Sequence, residues 1–197
     1  MAIIGCSYLK YAKYAESQGS VSYSDGGTAA KLVSVNVALD SATDNDFYAD
    51  NAIDETDKVF SGGTLTVNTN DLTDAVSKVL LGLQDQSLET ISGVTDVGVK
   101  ELLFDDRQVI PSLGIGMVIK HQRNGAAAWT GIILTRVQFS VPNDAAETQG
   151  KTISWQTPEL VGTIMRAEDT YKSWKKQATF STEAQAIAYI NARLSIT

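Results

Sequence analysis

One dipeptide constrains this chain more than any other feature. Asn124-Gly125 sits between two apolar-rich runs, residues 115–123 and 126–139. Asn-Gly is the strongest short signal for a two-residue β-hairpin, because a type I′ turn needs positive φ at both central positions. The turn also sets the register: Ile115 should face Leu134, Met117 should face Ile132, and Lys120 should face Trp129. The first two pairs share a face. The opposite face carries Val118, Trp129, Ile133, Val137 and Phe139. A sheet packed on one side only shows a cleaner polar face. Both faces here are partly apolar, so either a second layer or a neighbouring subunit is expected to cover part of the hairpin.

The remaining pattern is mostly of strand type. Residues 3–14 look extended, and Asp25-Gly26-Gly27 reads as a turn. Residues 31–39 alternate, with Val33, Val35, Val37 and Leu39 expected inward and Ser34, Asn36 and Ala38 outward. Residues 64–68 repeat the pattern: Leu65 and Val67 inward, Thr64, Thr66 and Asn68 outward. Residues 97–104 and 151–165 read as further strands, the second interrupted by Pro158 and therefore at an edge or bulged. Residues 171–180 form a short basic segment.

Two segments have helical spacing. Residues 71–83 carry Leu72, Val76, Val79, Leu80 and Leu83 as one stripe, with Asp71 as the expected cap, an Asp74–Lys78 pair at i, i+4, and Gly82 near the end. Residues 182–194 begin with Thr182 and Gln185 at capping-box spacing, and Ala184, Ile187, Ala188 and Leu194 are the expected buried stripe. The fold class predicted is mainly β with two flanking α-helices (α+β), a β-sandwich or part-barrel forming a single domain over residues 1–197.

Between the two alternating strands lies an acidic stretch, a long inter-strand loop over about residues 40–58. Asp40, Asp44, Asp46, Asp50, Asp54, Glu55 and Asp57 are met by no basic residue before Lys58, yet Phe47, Tyr48 and Ile53 interrupt the run. A long connection of this kind is a solvated acidic loop or a binding arm.

Composition removes several function classes. The formal charge is −7, from 16 basic and 23 acidic residues, which is wrong for gripping nucleic acid through phosphates. No uncharged stretch exceeds 12 residues, too short for a membrane-spanning helix, and the first residues do not read as a secretory signal. Cys6 and His121 are the only residues of their types, so a Cys/His zinc site lacks ligands, and neither a disulfide nor a cofactor is expected. Asp44, Asp46 and Asp50 suggest a calcium loop, but the EF-hand glycine and closing glutamate are missing. Gly114-Ile115-Gly116 is a fragment of a dinucleotide motif that opens a strand instead of a helix. His121 beside Lys120 and Arg123 has no neighbouring carboxylate to orient it as a base. Asp105-Asp106, read as strand residues, would point to opposite faces and make a poor carboxylate pair. Lys172, Lys175 and Lys176 with Tyr171 and Trp174 form a small basic-aromatic patch. No catalytic constellation emerges, and no enzyme activity is expected.

Several segments together resemble the major tail protein family of long-tailed bacteriophages, whose members polymerise into the tail tube. The segments are residues 60–74 (FSGGTLTVNTNDLTD), 115–125 (IGMVIKHQRNG), 129–165 (including VQFSVPNDAAETQGKTISWQTPELVGTIM) and 180–190 (FSTEAQAIAYI). Their order and gaps fit, as does an acidic loop ahead of the SGGTL strand, and the match covers most of the chain. The resemblance implies a tail-tube-type β-sandwich or part-barrel with a long loop reaching a neighbour. It implies homo-hexameric rings stacked into a hollow tube through which DNA passes during ejection without specific binding. It also implies other tail proteins as partners (tape measure, tail terminator, baseplate or tip), no membrane, and a place in the virion tail after assembly in the bacterial host cytoplasm.

On that footing, Phe47, Tyr48 and Ile53 are expected as apolar anchors of a loop that clamps a neighbouring subunit. Ser34, Asn36, Thr64, Thr66 and Asn68 are expected to line the lumen, small and neutral, offering phosphate no cation. Two alternatives remain. One is a tube subunit of a phage-derived contractile weapon, a tailocin or secretion-type needle. The other is a monomeric surface-binding β-sandwich with an aromatic groove from Trp129, Trp155 and Trp174.

Overall fold

The computed structural model describes residues 2–41, 45–57, 59–88, 93–94, 98–143, 146–148 and 156–196. In chain order these form β1 (Ala2–Ser17), β2 (Ser20–Ala30), β3 (Leu32–Ser41), β4 (Asn45–Ala49), β5 (Ala52–Asp57), β6 (Phe60–Thr69), α1 (Asp74–Leu81), β7 (Gln84–Ser87), β8 (Lys100–Leu103), β9 (Leu113–Arg123), β10 (Ala126–Phe139), β11 (Glu159–Met165), β12 (Lys175–Phe180) and α2 (Glu183–Arg193). The chain is mainly β with two helices, as its patterning predicts.

The Asn124-Gly125 hairpin is the centre of the fold. Both turn residues have positive φ, 49° and 80°, and the three anticipated pairs Ile115–Leu134, Met117–Ile132 and Lys120–Trp129 are the observed ones. The main sheet runs β2-β1-β9-β10-β11-β6-β3, all antiparallel. β10 serves two neighbours along one flank: residues 129–134 pair with β12 and residues 136–139 with β11. Its register against β9 shifts between Leu134 and Val137. That shift moves Val137 and Phe139 onto the face of Ile115 and Leu134, not the opposite face their sequence parity suggests.

The two ends of the sheet are one run of chain. β2 passes into β3 through Lys31 alone, whose N–H donates to Asn70 Oδ1 and whose carbonyl accepts from the Asn70 N–H, both at 3.0 Å. The sheet therefore curls back on itself around a core that includes Leu9, Leu65, Val67, Leu134 and Phe139, with Leu80, Leu81 and Leu83 from the α1 region.

The other face of the hairpin is covered by the chain's own second layer. Ala186, Ile190 and Leu194, fully buried at i, i+4 and i+8, pack on Val118 and Ile133. Of the expected stripe, Leu194 is buried and Ile187 packs against this cluster, while Ala184 and Ala188 are exposed and Ala186 and Ile190 take the buried positions. Glycine makes the close approach possible: a Cβ at Gly116 would lie 2.4 Å from Ile190 Cγ2, and one at Gly114 2.8 Å from Leu194 Cδ2. The Gly-Ile-Gly fragment is a floor for a helix. Of the two covers expected for the hairpin, a second layer or a neighbouring subunit, the chain's own second layer is the one observed on this face. Thr182 caps α2 as anticipated, its hydroxyl accepting from the Gln185 N–H at 3.4 Å.

Several local expectations are corrected. Asp25-Gly26-Gly27 lies inside β2; Asp25, at φ 49°, forms an irregularity opposite Tyr11 and Lys13, and the reversal occurs at Gln18-Gly19 instead. The acidic stretch contains a hairpin, β4–β5, turning at Asp50-Asn51 with φ of 50° and 64°. In β3, a register shift between Leu32 and Ser34 puts Leu32 against the core; Val35 and Val37 also pack inward, while Val33 and Leu39 are exposed. α1 starts later than the periodicity suggests, with Thr73 at the N-cap position, and ends at left-handed Gly82. Lys78 bonds Asp85 at 2.5 Å and not Asp74. β11 begins directly after Pro158, and residues 151–155, the first part of the strand expected there, lie outside the described residues. β7 pairs with β8 and was not anticipated; of the strand expected over 97–104, Lys100–Leu103 is observed.

Candidate assembly surfaces

The five small polar residues singled out in the sequence come together on one face of β3, β6 and β11. Ser34 stands opposite Asn68, and Asn36 opposite Thr66; Ala38 faces Thr64. On the far side of β6, Asn68, Thr66 and Thr64 face Glu159, Val161 and Thr163. Alternation puts Leu65, Val67, Leu160 and Ile164 on the buried face, so the polar row is forced outward. Asn68 Nδ2 donates to Ser34 Oγ at 3.0 Å, tying two of the five together. The three strand spans contain no Lys or Arg, and their only carboxylates are Asp40 and Glu159. The neighbouring cation on β10, Arg136, is engaged: its guanidinium lies over the Tyr14 ring at 5.2 Å and 3.7 Å from Glu16.

The arm β4–β5 lies between β3 and β6 in the chain. Ser41 is opposite Phe60, and beyond them Asn45 is opposite Asp57. Among the described residues its two strands pair only with each other. A two-stranded hairpin is at best marginal alone in water, so such an arm gains from resting on another surface. Tyr48 stands opposite Ile53 and Phe47 opposite Glu55; Ile53 is 56% exposed.

Several strand flanks are unpaired among the described residues, and two of them carry exposed apolar side chains. β2 pairs with β1 only from Leu9 onward, leaving the far flank of residues 2–8 open, where Ile3, Ile4 and Tyr8 are exposed and Tyr8 adopts φ 57°. β3 is the last strand at its end of the sheet, and carries exposed Val33 and Leu39. Open edges of this kind template strand addition. Sequence patterning alone did not locate them, because an edge is a property of pairing.

The residues weighed for chemistry are dispersed. His121 is half-buried and its Nδ1 has no hydrogen-bond partner among the described residues. Asp105 sits ahead of a turn, not in a strand; the Arg107 guanidinium and N–H hold its carboxyl below the usual range. In the basic-aromatic patch, Lys172 pairs with Glu168 and Lys176 lies 3.4 Å from Asp169, while Trp174 stacks on Phe60. Burial pushes the Asp169 carboxyl up, but the Ser173 hydroxyl and N–H and the Lys176 ammonium outweigh it and keep it lowered. Trp129 joins the α2-side cluster under Lys120, and Trp155 lies outside the described residues, so no aromatic groove is assembled from the described tryptophans. Among the described residues no group of His, Cys, Asp or Glu is placed to hold a metal ion, and no helix is long and apolar enough to cross a membrane. Asp44 lies outside the described residues.

No protein-family model matches the chain, and no curated protein matches it either.

Proposed function

We propose that this chain is a structural subunit that polymerises into a hollow tube, as the major tail proteins it resembles do, with DNA as the cargo of the bore. The observation that carries the reading is a continuity. One ladder, β3–β6, presents a polar face with no Lys or Arg, and between its two strands in the chain lies an arm whose strands, among the described residues, pair only with each other. A face without cations gives phosphate oxygens no charge-assisted partner, and the negative subunit adds repulsion whose reach salt limits to about 8 Å. Together these let a polyanion slide without sticking. The arm and the open flanks of β1 and β3 supply what a ring needs: contacts that close under rotation, and contacts that stack. The resemblance supplies six as the copy number and the virion tail as the location.

Negative-stain electron microscopy of the purified protein at rising concentration tests the reading. Rings or hollow filaments are expected. Uniform small particles at every concentration would favour a monomeric surface-binding domain instead.

A further inference from the structure

The root of the arm is held by three side chains from separate parts of the chain. Phe60, the first residue of β6, stacks on Trp174 with ring centroids 4.5 Å apart and planes 6° from parallel. The Arg166 guanidinium lies 5.8 Å from the centroid of the Phe60 ring, and its Nη2 donates to the Phe60 carbonyl. Ser61 Oγ donates to the Asp40 carbonyl at 3.0 Å on the β3 side.

These contacts sit where the sheet runs out. The last β11 partner of β6 is at Gly63, opposite Ile164, so residues 60–62 have no β11 strand beside them. Arg166, just past the end of β11, puts a side-chain donor on the Phe60 carbonyl in place of a ladder bond. Trp174, just ahead of β12, is itself fixed, because its carbonyl accepts from the Thr135 N–H at 3.1 Å in β10. Parallel ring stacking and a cation near the same ring each favour one orientation of Phe60.

We infer that Arg166, Phe60 and Trp174 form an anchor that sets the direction in which the β4–β5 arm leaves the body. They are positioning residues: they hold the arm in place for a neighbouring copy, while the arm's own residues touch it. This rests on the tube reading for the arm's purpose, but the anchoring itself does not.

The test places a dye on the arm tip through Ala52→Cys in a Cys6→Ser background and reads its fluorescence anisotropy in the dilute, unassembled protein. Trp174→Leu and the exposed-site variant Arg166→Gln should each lower the anisotropy, while Trp174→Phe, which keeps a stackable ring, should restore it. Thermal midpoints and far-ultraviolet circular dichroism verify that the body stays folded; Arg166→Gln serves if Trp174→Leu does not fold. Unchanged anisotropy in a folded variant would overturn the anchor. Lowered anisotropy together with undiminished tube formation would leave the anchor standing and remove the arm from the assembly reading.

Discussion

Asn68 on β6 donates its side-chain amide to the Ser34 hydroxyl on β3 at 3.0 Å. The bond satisfies two polar groups across adjacent strands, without recruiting a charge, on a face that also carries Asn36, Thr64, Thr66 and Thr163 together with Ala38, Val161 and Glu159. If that face lines a bore, it presents no cation to grip a passing strand of phosphates.

Adding cations there should convert sliding into capture. Asn36→Arg with Thr163→Arg, on strands separated by β6, should change stability by no more than about 0.5 kcal/mol each, as surface changes do. Assembled variant should then retain short duplex DNA in a nuclease-protected form, with retention collapsing between about 50 and 200 mM salt. Wild-type tubes should retain none. DNA bound to the variant but open to nuclease would put this face on the outside.

The arm can be tested by polarity alone. Phe47→Ser with Tyr48→Ser should leave a folded monomer with an unshifted melting midpoint and a much reduced yield of tubes. Ile53→Ser, at a position 56% exposed, should act in the same direction. Sedimentation at matched concentrations reads the yield; normal tube yield from the double variant would rule out the clamp.

Gly116 should tolerate nothing larger. In Gly116→Ala the new methyl meets Ile190 Cγ2 at 2.4 Å, so α2 must lift or the strand must shift, costing about 1–3 kcal/mol. Ile190→Ala leaves a cavity instead and should cost about 2–5 kcal/mol. Urea denaturation measures both. If Gly116→Ala is neutral, the helix is not seated on the hairpin as described.

Asp85 should matter most above pH 4. The Lys78 ammonium, then that of Lys100, holds its carboxyl down from 3.8 to about 2. A depressed folded-state value means that the stabilisation is complete above the unfolded value and fades as pH falls from about 4 towards 2. Melting midpoints of wild type should exceed those of Asp85→Asn at pH 6 and converge with them by pH 2. A constant gap over that range would mean that the two ammonium groups do not stabilise the fold through Asp85.

Legibility in the sequence followed the range of the interactions. The Asn124-Gly125 hairpin was readable to the residue because turn chemistry and period-2 alternation are local. The α2 cap was readable for the same reason: Thr182 and Gln185 are neighbours in the chain. Parity arguments failed wherever a strand slipped by a residue. Val137 and Phe139 changed faces at the shift after Leu134, and Val33 was displaced by the shift after Leu32. The hairpin inside the acidic stretch was hidden because its turn, Asp50-Asn51, lacks the glycine that usually betrays positive φ. The polar face of β3 and β6 was legible as two separate alternations; that they pair, and that β11 continues the face, depends on contacts made far apart in sequence. Arg166, Trp174 and Phe60 carried no joint signal, since 106 residues separate Arg166 from Phe60.

The passage of β2 into β3 through Lys31 has a mechanical corollary. Both borders of the sheet are stretches of a single uninterrupted backbone, clasped at the midpoint by Asn70. Were copies to hold on at those borders, tension arriving at one would cross to the other through covalent bonds, without first prying apart any ladder between them. Within each unit of such a filament, load would pass from joint to joint along one peptide chain.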